Sequence, residues 1–150
     1  MSSRRRATRL LCLAAAALPL VSCSTDQVAE AQKRNLALLR STRVLAATDK
    51  VIFRRTMSYR AGEADDSPIG GYLTRVEVKL PGTALATDVV QAQLEARALA
   101  GDFTKYLAAK QGGLQAACYR GHGVQLCILV AALEDPAASA ELSVDTHPVG

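Results

Sequence analysis

Two cysteines placed symmetrically about a Gly-His-Gly turn restrict this chain more than any other feature. Residues 114–133 read Leu-Gln-Ala-Ala-Cys-Tyr-Arg-Gly-His-Gly-Val-Gln-Leu-Cys-Ile-Leu-Val-Ala-Ala-Leu. Gly121-His122-Gly123 signals a hairpin between two strands. With His122 and Gly123 as a two-residue loop, Gly121 pairs with Val124, Arg120 with Gln125, Tyr119 with Leu126, and Cys118 with Cys127. Hydrogen-bonded and non-hydrogen-bonded pairs alternate outward from the turn. The cysteines therefore fall on a non-hydrogen-bonded pair, side by side on one face, as a cross-strand disulfide requires. The small loop limits its contribution to about 2–3 kcal/mol. Cys-x-x-x-x-x-x-x-x-Cys lacks the tight spacing of a redox pair, and His122 alone does not complete a tetrahedral zinc set. A structural disulfide is the expectation. The second strand of the hairpin, Val124–Leu133, is apolar on both faces, and such strands are covered on both sides. It is expected centrally, with a helix on each face or with a partner covering one.

Upstream, residues 26–48 contain no Gly or Pro and read as a helix. Val28, Ala31, Leu38, Leu39 and Leu45 share a broad apolar arc. Lys33, Arg40 and Arg43 crowd a neighbouring arc and form a candidate surface for a partner or for a membrane. Residues 51–60 alternate, with Val51, Phe53, Met57 and Tyr59 on one side. Residues 72–80 alternate more cleanly, with Tyr72, Thr74, Val76, Val78 and Leu80 against Leu73, Arg75, Glu77 and Lys79, the pattern of a half-buried strand. The loop between them carries Glu63, Asp65 and Asp66 without the spacing of a calcium loop. Pro81-Gly82 ends the second strand.

A second helix is expected to about Lys110, with Gly101-Asp102 as a break or kink. Its stripe of Leu85, Val89, Ala92, Ala96, Leu99, Phe103 and Tyr106 recurs at alternating steps of four and three, which reads as a core face. Residues 134–150 read as a C-terminal tail. The sum is an α+β domain over residues 26–133, a four-stranded, mainly antiparallel sheet with two helices in the order α-β-β-α-β-β. Its expected core comprises Val51, Phe53, Val76, Val78, Leu94, Leu99, Leu126, Ile128 and Val130.

The N-terminus carries an address. Arg4, Arg5, Arg6 and Arg9 precede an apolar run, Leu10–Val21, too short to span a bilayer. This is the pattern of a secretory signal. The run closes on Leu20-Val21-Ser22-Cys23, which resembles the lipobox of bacterial lipoproteins. That resemblance covers only the leader. It implies removal of residues 1–22, a diacylglycerol thioether on Cys23 and a short lipidated N-terminus, residues 23–25. Ser24, rather than Asp, resembles the sorting signal for the outer membrane, facing the periplasm. On this reading Cys12 is lost, Cys23 is consumed by lipid, and Cys118 and Cys127 remain in an oxidising compartment.

The chain has 18 basic and 14 acidic residues. Four of the bases sit in the leader, so the processed chain is balanced. No excess positive charge remains to neutralise phosphates, which argues against a nucleic-acid partner. The bases instead concentrate after the lipidation site, with eight against three acids between Asp26 and Arg60. A basic amphipathic helix next to a lipid suits anionic headgroups, a docked partner, or a cover for the chain's own sheet.

No nucleophile elbow, zinc-protease motif, phosphate loop or dinucleotide fingerprint is present. The expectation is a protein without catalytic residues, cofactor or metal. It is read as a lipid-anchored accessory or assembly factor with an envelope protein partner. The layout resembles secretion-system pilot lipoproteins in architecture alone. The alternative is a periplasmic ligand-binding or inhibitory module, with Tyr119, Arg120 and His122 at the hairpin tip as a recognition point.

Overall fold

The computed structural model describes residues 20–60, 70–82, 86–131 and 139–146. Helix α1 (Leu20–Ser41) is followed by strands β1 (Lys50–Tyr59) and β2 (Gly71–Lys79). Helix α2 (Thr87–Ala100) then leads to β3 (Thr104–Gln111), β4 (Leu114–Gly121), β5 (Val124–Ala131) and β6 (Ser139–Thr146). All six strands form one antiparallel sheet in the order β1-β2-β6-β5-β4-β3.

Register decides the layering. Paired residues point to the same side of a sheet. Val76 faces Leu142, Leu142 faces Ile128, and Ile128 faces Ala117. Thr74, Val144, Leu126 and Tyr119 form the next row on that face. All eight side chains are buried. Helix α1 lies over β1, β2 and β6, and α2 lies over β5 and its neighbours. The core is therefore one layer, between the two helices and one face of the sheet. α1 contributes Ala31 and Leu39, and the turn after it Val44 and Leu45; α2 contributes Val90, Leu94 and Ala98.

Three expectations are corrected. The sheet has six strands, not four, and the order is α-β-β-α-β-β-β-β. The first extra strand is β3, which the helical reading had carried through to Lys110. Helix α2 stops at Ala100 because Gly101 approaches the turn after α1. A Cβ on Gly101 would lie 2.8 Å from the Thr42 carbonyl oxygen. Asp102 then takes the left-handed conformation, φ 63°, and the chain turns into the sheet.

The second extra strand is β6, inside the segment read as a tail. Ala140, Leu142 and Val144 alternate with Glu141, Ser143 and Asp145, and the first three are fully buried. Far from a tail, β6 lies between β2 and β5 and joins the two halves of the sheet.

The third correction concerns the face of α2. Val90, Gln91, Leu94 and Ala98 are its buried residues, whereas Val89 and Leu99 of the expected stripe are 42% and 50% exposed. Phe103 is buried, but from the turn beyond the helix. Two larger side chains, Val90 and Leu94, outcompete Ala92 and Ala96 for the core. Phe53, also expected inside, is 42% exposed on the edge strand. The acidic loop residues Glu63, Asp65 and Asp66 lie outside the described residues, as does the leader up to Pro19.

A buried ion pair ties α2 to the connection between α1 and β1. Arg97 of α2 donates to both carboxylate oxygens of Asp49, at 2.7 and 3.3 Å, and the Asp49 side chain has no exposed surface. Asp49 also accepts from the Ala46 amide at 2.8 Å, and Arg97 reaches the Val44 carbonyl oxygen. The connection between α1 and β1 is thereby fastened to α2. Removing Arg97 leaves a buried carboxylate without its counter-ion, and removing Asp49 leaves a half-buried guanidinium without one. Asp49→Ala is expected to lower the unfolding free energy by about 3 kcal/mol, read from urea denaturation, and Arg97→Ala by a similar amount. A change within experimental scatter for both would show that the pair carries no stability.

Candidate functional site

The β4–β5 hairpin forms in the register expected from its sequence. Gly121 pairs with Val124, Arg120 with Gln125, Tyr119 with Leu126, and Cys118 with Cys127. His122 and Gly123 have φ of 52° and 72°, the pair of positive values that a tight hairpin turn of right-handed twist needs. Cys118 and Cys127 are joined in a disulfide with Cα atoms 4.1 Å apart, close to the spacing of a non-hydrogen-bonded pair. Both sit on the sheet face opposite the helices, since their neighbours Tyr119 and Leu126 point into the core.

The three hairpin residues singled out from sequence do not share a surface. Tyr119 is fully buried beneath the helices. Its hydroxyl makes no hydrogen bond of ordinary geometry among the described residues. Burial, reinforced by the nearby Glu95 carboxylate, pushes its pKa up to about 12. Arg120 lies on the opposite face, its guanidinium carbon 4.2 Å from the Tyr106 ring centroid, a cation–π contact. His122 donates from Nε2 to the Gly101 carbonyl oxygen at 2.7 Å, and its ring meets Phe103 edge-on at 5.0 Å. It fastens the hairpin tip to the end of α2. The expected recognition point is thus a core residue, a surface cation on an aromatic ring and a tether.

Lys33 and Arg40 are exposed on α1, on the side away from Ala31, Asn35 and Leu39. Arg43 is exposed too, just beyond the helix, with φ 60°. The backbone at Cys23 is helical and belongs to the first turn of α1. Beneath the far end of α1 is a hollow of about 530 Å³ lined by Arg40, Leu45, Ala46, Ala47, Asp49 and Val51.

A second hollow, about 280 Å³, separates α2 from the β3–β4 hairpin. Its helix wall holds Gln91 and Glu95; its strand wall holds Lys105, Lys110 and Gln115 over a floor of alanines. Glu95 pairs with Lys105 at one end. At the other, Asp88 accepts from Gln115 and lies 3.5 Å from Lys110. The Gln115 hydrogen bond, and then the charge of Lys110, hold the Asp88 carboxyl below the usual carboxylate range. The buried Gln91 Oε1 has no hydrogen-bond partner among the described residues. Sequence reading missed this cleft because it placed Lys105 and Lys110 on a helix rather than on a strand facing one.

Among the described residues, no three His, Cys, Asp or Glu side chains come together as a metal group, and no helix is long and apolar enough to cross a membrane. Comparison with protein-family models, curated proteins and solved structures finds no match to this chain.

Tyr119 gives the core an optical probe. Neutral tyrosine is the form that burial favours. The stability it contributes is complete below its unfolded pKa of about 10 and is lost as pH rises toward the folded value of about 12. In a tyrosinate absorbance titration, one of the four tyrosines should ionise last, together with alkaline unfolding. Tyr119→Phe should remove that last step. If the last step survives in the variant, the assignment to Tyr119 is wrong.

Proposed function

We propose that this chain is a lipid-anchored protein of the bacterial cell envelope, a non-catalytic accessory or assembly factor that holds an envelope partner close to the membrane. The reading rests on one juxtaposition. The acylation motif ends in the first turn of α1, and the exposed side of the same helix carries Lys33, Arg34 and Arg40. From Cys23 to Arg40 is about 25 Å along a helix rising 1.5 Å per residue. A chain acylated at Cys23 therefore presents a basic surface within one helix length of the bilayer.

The buried side of α1 is occupied by the chain's own core, through Ala31, Leu39 and the Asn35–Thr74 hydrogen bond of 2.9 Å. The outward basic side is left for anionic headgroups or an envelope protein. Two or more acyl chains anchor stably, at about 0.8 kcal/mol per buried CH₂, so the helix's charge has only to orient the domain and not to hold it.

The ligand-binding alternative is favoured by the cleft between α2 and the β3–β4 hairpin. It is small for a ligand site, which typically begins at about 300 Å³. It does combine an unsatisfied acceptor, Gln91, with two lysines.

Two substitutions separate anchoring from folding. Cys23→Ala is expected to release a folded domain from the membrane fraction. Cys118→Ser is expected to lower stability by about 2 kcal/mol and leave the protein in that fraction. Fractionation with thermal unfolding of both variants checks this. Retention of Cys23→Ala in the membrane would remove the basis for lipid anchoring.

A further inference from the structure

Both helices cover the same face of the sheet, and the other face has no cover among the described residues. Two rows of side chains cross the middle of that open face. One contains Ile52, Glu77, Glu141, Leu129, Ala116 and Ala109. The next contains Arg55, Arg75, Ser143, the Cys127–Cys118 disulfide and Leu107. The acids Glu77 and Glu141 stand in one row and the bases Arg55 and Arg75 in the other, all on the β1–β2–β6 half, where Glu77 also pairs with Arg54, and Arg75 lies 3.8 Å from Glu141, within the same chain. In these two rows the β5–β4–β3 half is apolar; on the same half of the face Leu107, Tyr106 and Leu114 are 55%, 41% and 41% exposed, with Arg120 stacked on Tyr106.

We propose that a second copy of this chain covers the open face, related by a twofold axis that runs across the strands between these two rows. Such an axis exchanges the rows and keeps each strand over its own counterpart. Glu77 then stands over Arg75 of the second copy, and Arg75 over its Glu77. Leu107 stands over Ala109 of the second copy, and the disulfide over its Ala116. Charge meets opposite charge on β2, with Arg55 over Ile52 of the second copy on one side and Glu141 over its Ser143 on the other. In the other half, Leu107 and Cys118 meet alanines and Cys127 meets Leu129, apolar contacts of the kind made by two sheet faces about 10 Å apart.

The area suffices. Six strands about 4.8 Å apart and eight residues long, at about 3.3 Å each, give a face of about 600 Å². Two such faces bury about 1,200 Å², the lower bound for a specific, stable association. Isologous contact is the commonest closed symmetry, and here one face supplies both complementary rows. The pairing depends on the sheet alone and not on the lipid anchor. It leaves α1 of both copies on the outside.

The test uses the full chain in the cell that makes it, with a photocrosslinking side chain at Leu107 or Ala116 and, as control, at Ala37 on the exposed side of α1. The expected result is a product of twice the chain mass from Leu107 and Ala116 but not from Ala37, with peptides of this chain only. Arg75→Glu should cut that product about tenfold by setting like charges together, and adding Glu77→Arg should restore it. No dimer-sized product, or a product holding a different protein, would overturn the proposal. So would a yield indifferent to Arg75→Glu in a variant that still folds. Release of Cys23→Ala from the membrane bears on the anchor and leaves this result unaffected.

Discussion

The packing of two helices on a single face of a six-stranded sheet is the contact everything else answers to. The row Val76–Leu142–Ile128–Ala117 and its neighbour Thr74–Val144–Leu126–Tyr119 form the floor of that layer. Leu39 of α1 and Leu94 of α2 press on it from above, each with no exposed surface. A one-residue slip of β6 or β5 would turn every one of their apolar side chains to the other face. Burial under the helices therefore fixes register across the whole sheet. It also decides which side the disulfide, Arg120 and the charged rows must occupy.

Polar groups enter this layer where helices meet strands. Asn35 donates to Thr74, whose hydroxyl lies 3.1 Å from that of Thr56. This sets α1 at one height over β1 and β2. Asp49 and Arg97 do the same for the passage from α1 into β1. Such groups are directional where apolar contact is not, and a helix that slides loses them at once. Asn35, Gln91 and Tyr119 each keep one polar atom without a protein partner among the described residues. All three lie on the helix side of the sheet.

Legibility in the sequence followed how local the governing contact was. The Cys118–Cys127 register depends on a turn only a few residues away, and counting from His122-Gly123 was enough. The burial of Ala31 and Leu39 was readable because α1 is long and carries its own apolar arc; Leu45, expected on that arc, is buried from the turn beyond the helix. Strand β3 was hidden because Phe103 and Tyr106 continue a helical stripe past Gly101. What ends the helix is the close approach of Thr42, a contact from another part of the chain. Strand β6 was hidden behind Pro136 and its alanines. Its own alternation, Ala140, Leu142 and Val144, is short and acquires meaning only between β2 and β5. Arg97 carried a faint signal: it follows Leu94 by three positions on a helix, and a charge on that side needs a buried partner. The cleft and the open face had no local signature, since both are made by strands far apart in sequence.

The position of β6 bears on the order in which the chain takes shape. Strands β1 and β2 pair with each other, as do β3, β4 and β5, through neighbours close in sequence. Between those two blocks is a gap one strand wide, and the strand that fills it, residues 139–146, is synthesised after all the others. Until β6 emerges from the ribosome, the β1–β2 and β3–β4–β5 pairings are the only strand contacts this sheet allows, and each block has an open edge. Closing loops this long is slow. For that interval the two halves of the sheet have no strand between them, and the closure of the sheet waits on residues 139–146.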